Sequence, residues 1–255
     1  MVKIAKYVLY DIIRGKVIIG YTLFLLLVSL SLFNLETDSS KAILSLMNII
    51  LIVVPLVSMI FSTIHYYNSY EFIEMMLSQP VTRTRILLSE YAGTSSSLAT
   101  AYLVGVGIPV AIYEPSETGF SLIFTGLILS IIFCSLAFYT SIRSKDKAKG
   151  IGAVLLIWFY FALIYDGLVL LIIFAFSDYP LEKLTLLLSS LNPIDLGRIF
   201  IMLKMDVSAL MGYTGATYSE FFGSSLGTLY TSGVMMLWIA IPLFLAIRSF
   251  RVKDL

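Results

Sequence analysis

Six long stretches without charged residues decide what this chain can fold into. They contain 19, 29, 23, 25, 28 and 27 residues, and only the fifth is interrupted, by Asp166. The hydrocarbon core of a bilayer is about 30 Å thick and takes about 20 helical residues to cross. Each stretch therefore predicts one transmembrane helix, over residues 17–35, 42–66, 91–113, 119–142, 150–176 and 228–247. Alternating segments of the kind that build membrane barrels do not occur in the sequence.

The composition agrees with a membrane protein and excludes several other classes. Of the 255 residues, 59% are hydrophobic and 13% are charged. Average soluble domains have about 45–50% apolar and about 25% charged residues. A soluble enzyme and a disordered scaffold are excluded on this ground, and a net charge of +1 gives no field for nucleic acid. We predict an all-α integral membrane protein in which residues 1–255 form a single transmembrane domain in the lipid bilayer.

The Lys and Arg residues predict how the chain is oriented. With a cytoplasmic N-terminus, 13 of the 17 basic residues lie on the cytoplasmic side, which is the side that basic loops prefer. We therefore expect a multi-pass protein of the plasma (inner) membrane with both termini in the cytoplasm. The first apolar stretch is longer than that of a signal peptide, and no small-residue cleavage pattern follows it, so we expect a retained helix.

Residues 1–15 are predicted to form an amphipathic helix that lies in the membrane interface. Apolar residues recur at helical spacing, and the opposite face carries Lys3, Lys6, Tyr10 and Arg14. Such a basic amphipathic helix is typical of interfacial segments. The alternative is a flanking segment that only obeys the preference for basic residues on the cytoplasmic side.

The cytoplasmic segment 67–90 is predicted to contain a short helix between the second and third spans. Glu71 and Glu74 lie one turn apart among apolar residues, and Gln79-Pro80 ends the helix because proline disfavours the α conformation in the residue before it. Thr82 is an expected N-cap for the next helix. A helix with acidic and apolar faces suits docking to a cytoplasmic partner, and an ordinary long turn is the alternative.

The external segment 177–227 is predicted to contain short helices rather than a disordered loop, because it is too apolar for disorder. Asn192 and Pro193 end one apolar run, and Asp195 is placed to start the next helix. Apolar helices that are too short to span are expected to lie in the outer interface or to dip back into the bundle.

The sequence contains few residues that could perform chemistry. It has no phosphate-binding loop of the Walker type, and His65 is its only histidine, which we expect to be an interfacial anchor. Neither a catalytic site nor a bound cofactor is predicted in this chain. Met202 and Met205 are weak candidates for soft metal ligands, with helix packing as the alternative.

Asp166 is the one ionisable residue well inside a predicted span. A charge at such a position is costly and marks a functional or bundle-facing site. The alternative is a hydrogen bond to a nearby Tyr that only fixes helix packing. Since no Lys or Arg lies in any predicted span, we expect no simple ion pair to this carboxylate within one chain.

The order of these elements, together with two sequence stretches, resembles the ABC-2 type permease family of ABC transporters. Residues 77–88, Leu-Ser-Gln-Pro-Val-Thr-Arg-Thr-Arg-Ile-Leu-Leu, resemble the region of that family that couples to the ATPase. The stretch from Trp158 to Asp166 and the run Leu191-Asn192-Pro193-Ile194-Asp195-Leu196-Gly197-Arg198 resemble, within that family, the permeases that serve maturation of nitrous oxide reductase.

The resemblance implies a half-transporter with partners in both compartments. Two permeases would pair, each would dock a cytoplasmic ATPase of the NosF kind that holds ATP and Mg, and a periplasmic protein of the NosD kind would sit on the outer helices. The ATPase contacts would be Glu71, Glu74, Arg83 and Arg85. The outer surface would be shaped by Asn192, Pro193, Asp195 and Arg198, and the cargo would be copper or a sulfur species.

Three other functions are compatible with the same residues. An ABC-2 exporter of a drug, peptide or lipid needs no cluster of copper or sulfur ligands. A secondary transporter is disfavoured because a single buried carboxylate is a poor coupling site. A structural membrane anchor for a periplasmic complex is the third alternative.

Overall fold

A computed structural model describes residues 2–36, 38–176, 187–202, 204–205 and 225–252 of the chain. These parts form helices and short connections, without strands. In chain order the helices are α1 Val2–Ile13, α2 Lys16–Leu35, α3 Ser39–Asn68, α4 Tyr70–Leu77, α5 Arg83–Tyr102, α6 Ile108–Tyr113, α7 Glu117–Arg143, α8 Lys147–Phe159, α9 Tyr165–Ala175, α10 Pro193–Met202 and α11 Ser225–Val252.

Six helical stretches are long and apolar enough to cross a membrane: Lys16–Leu35, Ser39–Asn68, Arg83–Tyr113, Glu117–Arg143, Lys147–Ala175 and Gly227–Val252. We call them spans one to six. This confirms the prediction of an all-α protein with six transmembrane helices. Span three begins earlier than residue 91, because its helix already starts at Arg83, directly after Thr82.

Spans three and five are interrupted by single π-helical turns. In span three the π turn Leu103–Gly107 lies just before Pro109. Proline has no N–H to donate to the preceding turn, and its ring crowds the carbonyl of that turn. The wider hydrogen-bond spacing of a π turn makes room for the ring. In span five the π turn Tyr160–Ile164 joins α8 to α9, and proline is absent from that turn.

Helix α7 is the centre of the bundle. It packs against α3, α5, α10 and α11, and Leu129, Ile132 and Phe133 on it are fully buried in the main apolar core. The Tyr102 hydroxyl at the end of α5 donates to the Leu122 carbonyl of α7 over 2.9 Å. The central helix thus joins elements from both halves of the chain.

Helix α1 packs along α5 through its apolar face. Val8 and Ile12 are buried there, while Lys3, Lys6 and Arg14 are exposed. The close approach depends on Gly93, since a Cβ at that position would lie 2.6 Å from Cγ1 of Val8. The amphipathic pattern therefore corresponds to a real two-faced helix, and its place in the membrane interface stays a prediction.

Two ends of the bundle are distinguished below. The α4 end holds α4, the start of α5 and the last turns of α7 and α11, which are in contact with one another. The α10 end lies at the opposite end of the spans and holds α10 and the last turns of α9.

Candidate functional site

Helix α4 presents an acidic face at the α4 end. Glu71, Glu74 and Met75 are exposed, whereas Ile73 and Met76 on the other face are buried. The helix ends at Leu77, ahead of Gln79-Pro80. Its exposed face combines two carboxylates with one apolar side chain, which is a surface that a partner helix or groove can recognise.

Helix α4 is held firmly against the bundle. The ring of Phe72 stacks on Tyr7 of α1 with the ring centroids 6.0 Å apart. The buried face joins a second apolar core that contains Phe138 of α7 and Phe250 of α11. A force applied to α4 would therefore reach α1, α7 and α11 through side chains that are in direct contact.

The first turn of α5 is tied to the end of α11. The Arg251 guanidinium donates from Nε to Oγ1 of Thr84 over 3.0 Å, and Nη1 of Arg83 donates to the Arg251 carbonyl over 3.5 Å. Arg83 and Arg85 themselves are exposed. All four residues that the resemblance assigned to ATPase contacts are thus on the surface at one end of the bundle.

A buried pair that the sequence reasoning missed lies between α3 and α5. Nε2 of His65 is 3.1 Å from Oε2 of Glu90, and the Glu90 side chain is only 2% exposed. Oε1 of Glu90 has no hydrogen-bond partner in the part of the chain that the structure describes. Glu90 had been taken as the boundary of a span, but α5 starts at Arg83, which places Glu90 about two turns inside the helix.

At the α10 end, Asn192 joins the outer segment to span five. Its Nδ2 donates to the Phe161 carbonyl over 2.9 Å, and its Oδ1 accepts from the Ile194 N–H over 3.0 Å. Phe161 belongs to the π turn of span five. The hydroxyl of Tyr165 donates to the Leu188 carbonyl over 2.6 Å and adds a second link across the same junction.

Asp166, Asp195 and Arg198 form a three-residue ionic cluster beside this junction. Nη1 of Arg198 lies 2.8 Å from Oδ2 of Asp166 and 3.2 Å from Oδ1 of Asp195. The expectation that Asp166 has no ion-pair partner within the chain is therefore wrong. Arg198 lies on a helix that is too short to span, and this helix dips into the bundle far enough to reach span five.

The cluster sets one guanidinium against two carboxyl groups. Burial first, and then the nearby Asp166 carboxyl, raise the pKa of Asp195, whereas Arg198 and Asn192 lower it, and the net result is a pKa of about 7. The side chains of Asp166, Asp195 and Arg198 are 32%, 13% and 33% exposed. Oδ1 of Asp166 is buried and has no hydrogen-bond partner among the described residues. A proton on Asp195 would make the cluster neutral and give Asp166 a donor.

Helix α10 lies inside the bundle rather than on its surface. Asn192 and Pro193, predicted for the outer surface, are buried, and only Asp195 and Arg198 keep partial exposure. Gly197 allows the approach to α7, since a Cβ there would lie 2.6 Å from Cγ2 of Thr125. The apolar residues of this helix, which argued against a disordered loop in the sequence, are the residues that pack into the bundle core.

The two candidate metal-ligating methionines lie near the same helix. Met205 is buried in the main core and Met202 packs against that core. Both positions are what helix packing predicts. Of the external segment, residues 177–186, 203 and 206–224 lie outside the described residues.

These elements correspond to a known family of membrane proteins. Over residues 2–255 the chain matches the family described as ABC-2 family transporter protein, and it belongs to that family. Such a permease is normally the non-enzymatic transmembrane subunit of an ABC transporter, and this implies an ATPase partner.

Two relatives are named as probable ABC transporter permease protein NosY. The one from Pseudomonas aeruginosa is 30% identical over 148 residues, which are 54% of this chain and 54% of that protein. The one from Stutzerimonas stutzeri is 28% identical over 200 residues, or 69% of this chain and 67% of that protein. The chain thus spans about half the length of the first relative and two thirds of the second.

Proposed function

We propose that the chain is a NosY-like permease subunit that couples ATP hydrolysis in a separate ATPase to transport or mechanical signalling for copper-site maturation of nitrous oxide reductase. In this proposal two permeases pair in the inner membrane with their termini in the cytoplasm. Two NosF-like ATPases bind ATP and Mg on the cytoplasmic side, and a NosD-like protein binds on the periplasmic side. The permease itself carries no cofactor.

The observation that carries the proposal is the way α4 connects an exposed acidic face to the spans. Glu71 and Glu74 point away from the bundle, while Ile73 and Met76 anchor the helix in the second apolar core. A partner that moved α4 would move span three, which follows it after a short connection, and span six, whose last residues bond to the start of α5. The relatives named NosY support the choice of system.

Co-purification with the ATPase is the direct test of the coupling surface. We expect the purified Glu71→Lys/Glu74→Lys variant to have lost the NosF-like ATPase. The substituted face of α4 carries two positive charges and would repel the basic ATPase surface that the two carboxylates are proposed to meet. Glu36→Lys is the matched control, since Glu36 is also exposed but lies at the end of α2 away from α4. Retention of the ATPase by the double variant would contradict the assignment of α4.

Complementation decides which ABC permease this is. In cells that lack their own NosY, we expect the chain to restore copper incorporation into nitrous oxide reductase, and the double variant to fail. If the wild-type chain binds the ATPase normally but the copper content of nitrous oxide reductase stays low, the maturation role is refuted. Export of a drug, peptide or lipid is then the function to test next. If the double variant restores copper content without bound ATPase, the chain is a structural anchor.

A further inference from the structure

Two adjoining grooves at the α4 end carry positive charge that the proposed function does not use. The first has a volume of about 510 Å³ and lies between α7 and α11, with Arg143 and Arg248 on its walls. The second has a volume of about 380 Å³ and lies between α5 and α11, with Arg248 and Arg251 on its walls. Arg248 and Val252 line both, so the grooves flank the same last turns of α11.

The arginines of these grooves have few partners in the described parts of the chain. Arg143 donates to the Tyr139 hydroxyl over 3.0 Å and lies over the Tyr139 ring. Arg251 donates to Oγ1 of Thr84. None of the three takes part in any of the five ion pairs that the described residues form. Within the described part of the chain, no carboxylate therefore pairs with any of these three guanidinium groups.

Helix dipoles do not balance this charge. The C-termini of α7 and α11 lie at the α4 end, and each has about half a negative charge, while the N-terminus of α5 contributes about half a positive charge there. The dipoles therefore offset at most about one of the three guanidinium charges. An anion bound in the grooves would neutralise the remainder.

Apolar side chains also line both grooves. Ile142, Leu245 and Val252 line the first groove, and Phe244, Ile247 and Val252 line the second. Free phosphate or a nucleotide would leave these side chains uncovered, whereas a phospholipid places a phosphate and an acyl chain side by side. Arg143 ends span four, and Arg248 lies about one turn before the end of span six at Val252. The charges therefore lie near the ends of the spans, at the level where headgroups are found.

We propose that these two grooves bind an anionic phospholipid, with its phosphate on Arg143 and Arg248 and its acyl chains along the apolar side chains of α7 and α11. Basic pockets between transmembrane helices are known sites for anionic headgroups. The site is separate from the acidic face of α4 and does not depend on the ATPase proposal.

Native mass spectrometry of the full chain in a neutral detergent tests the site. Phosphatidylglycerol and phosphatidylcholine with identical acyl chains are the probes. We expect phosphatidylglycerol to bind the wild-type chain more tightly, and Arg143→Gln/Arg248→Gln to weaken its binding about 30-fold, at about 1 kcal/mol for each basic residue. Lys145→Gln/Lys149→Gln removes the same charge from exposed positions outside the grooves, and we expect it to bind the lipid as the wild type does.

The remaining outcomes separate lipid from other anions and from a protein partner. Excess glycerol phosphate should leave the lipid bound, and complete displacement by it would show a simple anion site and overturn the proposal. Equal binding of the two lipids by the wild type would also overturn it. If the groove variant binds phosphatidylglycerol normally but loses a co-expressed ATPase, the grooves are a protein interface. Arg143→Lys/Arg248→Lys should retain most of the binding, which guards against loss through misfolding.

Discussion

Replacing Asp195 by Asn tests whether the ionic cluster at the α10 end holds a proton near neutral pH. Arg198 donates to both Asp166 and Asp195, so one positive charge faces two carboxyl groups. Burial and the neighbouring Asp166 carboxyl, opposed by Arg198 and Asn192, raise the pKa of Asp195 from an ordinary 3.8 to about 7. Asn keeps the shape of the carboxylic acid and can still donate a hydrogen bond to Asp166, but it cannot release a proton.

The sign of the effect follows from the raised pKa. The folded chain binds this proton more tightly than the unfolded chain, so the proton stabilises the fold below about pH 4, and this contribution is lost as the pH rises through about 7. The pKa values correspond to at most about 4 kcal/mol. Because Asp166 and Arg198 are each about one-third exposed, solvent weakens the coupling, and we expect about 2 kcal/mol.

Thermal unfolding of the purified chain in detergent, followed through tryptophan fluorescence, measures this difference. A scan from about pH 5 to about pH 8 covers about 60% of the interval over which this contribution changes, so about 1.2 of the 2 kcal/mol is seen. Over that scan the Tm of the wild type should fall by about 2–5 °C relative to that of Asp195→Asn. Asp146→Asn is the control, because hydrogen bonds from the Lys149 N–H lower the pKa of Asp146 and move its titration below this range. Parallel Tm curves for the wild type and Asp195→Asn would refute the assignment of the proton to this cluster.

Three further predictions concern packing, hydrogen bonding and coupling. Gly93→Val should destabilise the chain by about 1–3 kcal/mol and make α1 sensitive to added protease, because the new Cβ overlaps the face of α1. Gly20→Val is the control and should be neutral in the same assay, because a Cβ at Gly20 has open space. Asn192→Ala should cost about 1–3 kcal/mol in unfolding measurements because the Phe161 carbonyl of the π turn loses its donor, and Asn34→Ala at an exposed helix position should change little. Asp166→Asn should reduce copper incorporation into nitrous oxide reductase more than it reduces the amount of the chain in the membrane. Equal losses in the two assays would mean that the Asp166 carboxylate serves folding only.

Much of the fold was predictable because charge and hydropathy act locally along the chain. Charged residues bound each apolar stretch, so the six spans followed from the spacing of the charges alone. The helix α4 followed from two carboxylates one turn apart and a proline that ends the helix. Exposure of Glu71 and Glu74 required only the helical period, since their apolar neighbours had to face the bundle.

The ionic contacts between different helices were not predictable because they join residues that are far apart in sequence. Arg198 lies 32 residues beyond Asp166, on a helix that had been expected either in the outer interface or dipping back into the bundle. The local pattern left both places open, and the position of Gly197 against α7 shows that the helix dips into the bundle. The pair of His65 and Glu90 was missed for a related reason, since Glu90 was treated as the end of a span whose helix begins earlier.

The polar contacts between helices fit the proposed moving subunit better than a passive membrane anchor. Replacing a buried ion pair by apolar side chains of similar volume is often neutral or stabilising, so an anchor gains little stability from the partly buried contact of Asp166 with Arg198 or from the contact of His65 with Glu90. Ionic and hydrogen-bonded contacts are directional, and they are made or broken as discrete states, whereas apolar surfaces in a bundle tolerate many small shifts. In this chain they join span five to α10 and α3 to α5. A permease that alternates between two arrangements needs discrete contacts at such junctions, and an anchor does not.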